Sequence, residues 1–479
     1  MEESLKFKTK KGLYWQFLNQ AIDLGVQFII GIILARLLSP EDYGITALPG
    51  VFLAIAGLLT DCGFGQALIR KPELTEKDLS TAFYYSICVG FAAYWALFAS
   101  AGWIADFYKA PILKSVLRVT AITLFLGPIG SIQGIHLSRR LDFKTLTTIS
   151  IICKFVTGIV GVVMAFSGSG IWSLVIPPVL SDIISIIAKC YVVRWFPKEK
   201  WSKDSFKYLW GFGSKMLLSY MIGTIYENLY TLIIGKMFSP AQLGTWNRAQ
   251  NYAALPSKQA TNILQRVTFP VLSSIQDEDE RLAYNYRRIL RVSAFVIFPA
   301  MLLLSALAEP LIIVLVTDKW EGAVQFLEIM CFSMMWYPIH AINLNLLQVK
   351  GRSDYFLKLE IIKRIIGIII LFVTIPMGLV AMAYGGIVSS VLSLFINTYY
   401  TGKLINVGIW KQLLDLTPTI IMSLVIYAIS RCLMMVISNI YLQIIVCGVV
   451  SVVVYFGLAL LLKRDELSDC LYLLKIRSK

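Results

Sequence analysis

Apolar runs of about 20 residues recur from one end of this chain to the other, and no other feature limits its fold so strongly. In hydrocarbon every main-chain polar group must be satisfied internally, so a succession of such runs folds as a helical bundle. Spans are expected near 12–37, 43–65, 80–104, 115–137, 145–166 and 171–193, then 209–235, 243–270, 286–316, 322–348, 355–376 and 379–401, with a last pair at 412–435 and 440–462. The chain is 57% hydrophobic and only 15% charged, against roughly 25% charged in a soluble domain. The fold class expected is all-α and integral to the membrane, with about 14 transmembrane helices and no room for a soluble domain. The polar-faced first, seventh and eighth spans would be the easiest for a hydropathy window to miss.

The chain also repeats itself. Ser39-Pro40-Glu41-Asp42-Tyr43-Gly44 is answered by Ser239-Pro240-Ala241-Gln242-Leu243-Gly244, and each copy follows an apolar segment with polar residues along one helical face. In the first segment Gln16, Asn19, Gln20, Asp23 and Gln27 fall at i, i+3, i+4, i+7 and i+11, on one side of a helix. Tyr220, Thr224, Glu227, Asn228 and Thr231 form a comparable stripe in the second. Polar groups in a bilayer are costly and normally face a bundle interior or water, so paired stripes predict one shared cavity. The repeat continues from Pro128-Ile129-Gly130 to Pro338-Ile339-His340, and from Leu141-Asp142-Phe143 to Ser353-Asp354-Tyr355. Two pseudo-symmetric six-helix lobes follow, at 1–197 and 209–402, joined by a cytoplasmic linker at 198–208 and followed by an extra helix pair and basic tail at 403–479. An even number of crossings gives both lobes the same orientation.

Lysine and arginine should gather in cytoplasmic loops. Lys6 to Lys11, Arg70 to Lys77, Arg139 to Lys144, Lys198 to Lys207, Arg281 to Arg288, Lys350 to Lys358, Lys403 with Lys411, and the tail from Lys463 all fall on one side of the proposed spans. The turns at Ser167-Gly168-Ser169-Gly170 and Met377-Gly378 carry no basic residue, so both termini are predicted cytoplasmic. This asymmetry accounts for the net charge of +15 without nucleic acid as a partner. The basic N-terminus leads into a segment too long and too polar-faced for a signal-peptide core.

Eight scattered cysteines without a CxxC pair indicate neither disulfides nor zinc, and read as small buried apolar residues. His136 and His340 are too few and too far apart for a metal site or triad, and read as packing or capping groups.

The eighth span is the richest in recognition chemistry. Asn247, Asn251, Lys258, Asn262 and Gln265 lie on one stripe, with Arg248, Gln259 and Arg266 beside it. Amides suit the many replaceable hydrogen bonds of an oligosaccharide, and Lys or Arg suits a diphosphate. The alternative for the amides is interhelical hydrogen bonding, and for Lys258 an ion pair with an acid such as Glu227. Asp23 and Glu227 either bind a coupling proton or sodium ion or neutralise nearby bases. The second is favoured, because isolated carboxylates do not make a cation site, and the coupling ion stays open. No other cofactor is indicated.

Ala35-Arg36-Leu37-Leu38-Ser39-Pro40-Glu41-Asp42-Tyr43-Gly44, Gly63-Phe64-Gly65-Gln66-Ala67-Leu68-Ile69, Arg140-Leu141-Asp142-Phe143-Lys144 and Gly170-Ile171-Trp172-Ser173-Leu174 carry a family resemblance. Ile234-Gly235-Lys236, Arg266-Val267-Thr268-Phe269-Pro270 and Ile275-Gln276-Asp277 extend it. Together they resemble the polysaccharide transporter branch of the multidrug/oligosaccharidyl-lipid/polysaccharide exporter superfamily, near the colanic-acid and teichuronic-acid exporters. The resemblance implies a V-shaped, two-lobed flippase of the bacterial cytoplasmic membrane. Its cargo would be polyprenyl-pyrophosphate-linked repeat units for O-antigen, capsule or exopolysaccharide. It also implies a functional monomer, with a polysaccharide polymerase and chain-length machinery as partners. The last two helices resemble the lipid-tail groove helices of lipid II flippases.

Two other classes compete. A cation-coupled multidrug antiporter of the same superfamily would share the twelve-helix core, but with fewer basic cavity residues and no extra pair. A polymerase or glycosyltransferase would need a sizeable outer loop with catalytic residues. The outer loops around 105–114 and 316–322 are too short for that, so no enzyme is expected.

Overall fold

The computed structural model describes residues 2–469, and the side chains of residues 2–14, 16, 17, 266 and 267 lie outside that description. Among the described residues the chain is predominantly helical and contains no strand. It divides into two compact units, Met1–Gly244 and Thr245–Lys479. The division falls later than the 198–208 linker, because the helix after that linker packs on the helices of the first unit.

The first unit holds α1 (Glu2–Leu37), α2 (Pro40–Asp61), α3 (Phe64–Arg70), α4 (Glu76–Phe107), α5 (Ile112–Thr120), α6 (Ile122–Arg139), α7 (Phe143–Phe166), α8 (Trp172–Val193) and α9 (Lys203–Met237). Its last residues open α10 (Pro240–Ser273). Helix α9 packs on α2, α3 and α4, while α1 packs on α7.

The repeated Ser-Pro motif has a local physical cause. In the first copy Ser39 Oγ accepts from the Asp42 amide at 3.2 Å and the Asp42 carboxylate accepts from the Ser39 amide at 3.0 Å. In the second, Ser239 Oγ accepts from the Gln242 amide at 3.2 Å and Gln242 Oε1 from the Ser239 amide at 3.1 Å. Each copy is thus a capping box with proline as the first helical residue, where its missing amide hydrogen costs nothing.

The glycine that ends each motif allows the two helix starts to touch. A Cβ on Gly44 would collide with the main-chain oxygen of Pro240 and stand 3.0 Å from the Gly244 nitrogen. A Cβ on Gly244 would collide in the same way with Pro40 and stand 3.1 Å from the Gly44 nitrogen.

The second unit continues α10 and adds α11 (Asp279–Ala306), α12 (Ala308–Val316), α13 (Val324–Met334), α14 (Tyr337–Val349), α15 (Ser353–Thr374), α16 (Leu379–Ile405), α17 (Ile409–Val436) and α18 (Ile440–Leu461). Its centre is α11, whose Tyr286, Leu290, Ala294 and Phe298 are fully buried. The extra pair α17–α18 is fastened there. Arg287 grips Asp415 with two bonds of 2.7 Å, Tyr455 Oη donates to the Phe295 carbonyl at 2.7 Å, and Arg291 reaches Glu466, just after α18, at 3.4 Å. The neighbouring pair Arg288–Asp469 ties in the segment after α18.

Among the described residues eleven helices are long and apolar enough to cross a membrane, so the protein is a multi-pass, all-α membrane protein. The expected eighth, tenth and eleventh spans are not among them. Helix α10 is too polar along its length. The tenth span is broken at Met335–Trp336 into α13 and α14, of 11 and 13 residues, just before Pro338. Helix α15 carries Asp354, Lys358, Glu360 and Lys363 in its first half and Arg364 at its middle, with Lys363 bonded to Glu360 at 2.5 Å. The first and seventh expected spans, in α1 and α9, do meet the criterion.

Four cysteines are buried as expected, whereas Cys88 and Cys432 face outward and Cys470 lies outside the described residues.

Candidate functional site

The stripe on α1 turns toward α7. Asn19 Nδ2 donates to Asp23 at 3.2 Å, and the same carboxylate oxygen receives Lys154 Nζ from α7 at 2.5 Å. Asp23 is therefore an ion-pair partner, with Asn19 steadying it. Gln20 is half-buried, Gln27 is exposed, and the Gln16 side chain lies outside the described residues. A lone lysine in the middle of an apolar span is the signal that a carboxylate must approach it. The sequence does not say which carboxylate.

On α9, Tyr220 Oη accepts from Gln66 Nε2 at 2.8 Å, and Asn228 donates to the Thr224 carbonyl of its own helix at 2.8 Å. Glu227 is exposed, with no ion-pair partner among the described residues. The α9 stripe thus supplies one exposed carboxylate and an amide already engaged with its own backbone.

Helix α10 has two contrasting faces within the second unit. Ala249, Ala253, Ser257 and Thr261 are buried, and Ser257 Oγ donates to the Met334 carbonyl at 2.8 Å. Asn251, Lys258 and Asn262 stand exposed on the other side, with Asn247 and Gln259 half-buried at its margin. Lys258 has no ion-pair partner among the described residues. Arg248 departs from this exposed face. Its guanidinium lies 4.8 Å from the Trp320 ring centre and 5.5 Å from that of Tyr252, so aromatic walls hold it.

His340 is a packing group, in contact with Ser390 Oγ at 3.0 Å and with the Asn397 amide at 3.3 Å. Among the described residues no three metal-ligating side chains come together.

A cavity of about 170 Å³ in the first unit has Thr60, Asp61, Ser86, Thr123 and Ser131 among its walls, beside Leu124 and Pro128. The Asp61 carboxylate accepts from the Gly63 amide at 3.0 Å, which fixes it at the end of α2. Helical periodicity does not reveal such a site, because its residues come one or two at a time from three stretches of chain.

Comparison with known proteins places this chain in a lineage. A family model described as "Polysaccharide biosynthesis protein" matches residues 33–325. The chain is 25% identical to an uncharacterized membrane protein in the cps region of Klebsiella pneumoniae, covering 84% of this chain and 83% of that one. It is 23% identical to the lipopolysaccharide biosynthesis protein WzxC of Escherichia coli (75% and 74% covered). It is 25% identical to the teichuronic acid biosynthesis protein TuaB of Bacillus subtilis (73% of each). Among solved structures, lipid II flippase MurJ in an inward closed conformation shares the fold, with a TM-score of 0.75 at 15% identity over 94% of this chain and 99% of that one. An inward-facing multidrug resistance MATE transporter shares it less fully, at TM-score 0.58 and 14% identity over 80% and 96%. With the family model spanning the capping-box repeat of both lobes and well over half of the chain, this protein belongs to the polysaccharide biosynthesis protein family of multi-pass membrane proteins.

Proposed function

We propose that this protein is a flippase that carries polyprenyl-pyrophosphate-linked oligosaccharide units across the bacterial cytoplasmic membrane for surface polysaccharide synthesis. The observation that carries this reading is the exposed face of α10, where Asn251, Lys258 and Asn262 stand free of packing opposite a buried face of small residues. Amides and a cation together suit a glycan attached to a diphosphate, and do not suit a purely lipophilic drug. Family membership and the polysaccharide pathways named for the relatives support the same cargo. The multidrug antiporter reading rests on fold likeness alone.

In this reading Glu227 of the first unit, and Asn247, Asn251, Lys258, Gln259 and Asn262 of the second, serve the cargo, while Asn19 and Asp23 hold Lys154 and Asn228 stays on the Thr224 carbonyl. Arg248 stands beside the α10 residues in its aromatic seat. Both termini are cytoplasmic by the distribution of basic residues. Transport by alternating access involves no covalent chemistry on the cargo, and a polysaccharide polymerase with its chain-length machinery acts on the product. Deleting the gene should stop surface polysaccharide formation and trap the lipid-linked unit where externally added glycosidase cannot reach it. Unchanged surface glycan in a strain with no second flippase would refute the proposal.

The carboxylate of Asp23 serves to neutralise Lys154 rather than to carry a coupling ion. Asp23→Asn and Lys154→Gln should each reduce export several-fold, since each leaves one charge unpaired in an apolar setting. The double variant Asp23→Asn/Lys154→Gln should recover most of it. A double variant as inactive as Asp23→Asn alone would instead make Asp23 the coupling group.

A further inference from the structure

The basic residues around the end of α3 are used in different ways. Lys71 is bonded to the buried carboxylate of Asp78 at 2.7 Å. Arg139 donates to the carbonyls of Leu68 and Lys71 at 2.7 Å, of Pro72 at 3.2 Å and of Ile69 at 3.3 Å. It therefore caps α3 and fixes the segment that carries Arg70. Arg70 and Lys215 differ from both, having neither a carboxylate nor a carbonyl partner among the described residues. They line one open cavity of about 700 Å³ in the first unit, between α3 and the early turns of α9. Its other walls include Pro72, Phe212, Met216 and the ring of Tyr208, and the Arg70 guanidinium lies 5.3 Å from the Phe212 ring centre. The volume is that of a small-molecule site.

Snorkelling explains why a cation sits near a membrane surface, but not why two unpaired ones share a cavity with apolar walls. The missing component is an anion joined to an apolar chain. A phospholipid phosphodiester offers a single negative charge, whereas a diphosphate offers at least two and can engage a guanidinium and an ammonium together. We infer that this cavity binds the diphosphate head of a membrane-embedded isoprenoid, with Arg70 and Lys215 on the phosphates and the first isoprene units along Phe212 and Met216. This rests on the proposed function, and makes the cavity the place where the lipid carrier docks at the cytoplasmic side.

The test uses purified full-length protein in nanodiscs of zwitterionic lipid, titrated with farnesyl diphosphate. Arg70→Gln/Lys215→Gln should weaken binding by about tenfold or more, and Arg70→Lys/Lys215→Arg should retain most of it. Gly211 also lines the cavity, and a Cβ there would meet nothing within 4 Å. Gly211→Phe therefore fills the space while keeping both charges, and should weaken binding to a similar degree with an unchanged elution profile. Wild-type affinity in Gly211→Phe would show binding to surface charge rather than to the cavity, and would overturn the inference. Displacement of the probe by phosphatidylglycerol in the nanodisc would overturn it too, by assigning the cavity to phospholipid headgroups. If farnesyl diphosphate binds without regard to these residues while gene deletion still abolishes surface glycan, the docking site falls and the function stands. If deletion leaves the glycan intact, the function falls whatever the cavity binds.

Discussion

Gly44→Val is expected to abolish export and to lower the thermal stability of the solubilised protein by about 3 kcal/mol or more. Two effects oppose each other at this position. Removing a glycine from a helix ordinarily gains up to about 1 kcal/mol. Here, however, the added carbon collides with a main-chain oxygen, that of Pro240, which has no rotamer by which to move aside. The helix starts would have to separate by more than about 1 Å, losing the close contact on both sides of the crossing. Gly244→Val should behave alike, because the collision is reciprocal. Gly50 is an internal control on the same helix, since a Cβ there meets nothing within 4 Å. Gly50→Ala should leave export and melting temperature intact or slightly raised. Melting curves followed by size-exclusion chromatography, with complementation of a deletion strain, measure all three. Normal stability and export in Gly44→Val would mean that the two capping-box repeats do not meet.

The second large effect concerns Lys258. Lys258→Gln removes an attraction for the diphosphate, whereas Lys258→Glu replaces it with repulsion. At 4 Å and an effective dielectric constant of about 20, one charge pair is worth about 4 kcal/mol, so reversing the sign costs about twice as much as losing the charge. Solvent at this exposed position reduces that figure but leaves the order unchanged. Export should fall several-fold in Lys258→Gln and by more than about tenfold in Lys258→Glu, at equal membrane abundance. Surface polysaccharide, quantified in a complemented deletion strain, is the readout. Equal export by the two variants would remove Lys258 from contact with an anionic cargo.

Both predictions begin from features that are visible in the sequence. The Ser-Pro-x-x-x-Gly repeat contains its own capping box, so its helix starts at Pro40 and Pro240 follow from local chemistry alone. The exposed stripe of Asn251, Lys258 and Asn262 follows from helical periodicity, because the opposite face of α10 carries small residues suited to packing. Contacts that join distant segments were not legible. Lys154 announces that it needs an acid, but only the packing of α7 on α1 selects Asp23. Arg248 lies beside the stripe by sequence, yet the Trp320 ring holds it in place. The break at Met335–Trp336 was hidden because hydropathy averages across an interruption of two residues. The cavity beside Asp61 escaped for a related reason, as its hydroxyls come from separate segments that share no period.

Reconstitution tests the central claim most directly. Proteoliposomes containing this protein and a fluorescent polyprenyl-pyrophosphate-linked oligosaccharide are treated with an impermeant glycosidase, and the cleaved share is followed with time. In protein-free vesicles only the outer-leaflet share should be cleaved. With the protein present cleavage should proceed to nearly all of the lipid, and more slowly with Lys258→Glu. A cleaved share identical to that of protein-free vesicles, from correctly folded protein, would contradict the assignment as a flippase of lipid-linked oligosaccharide.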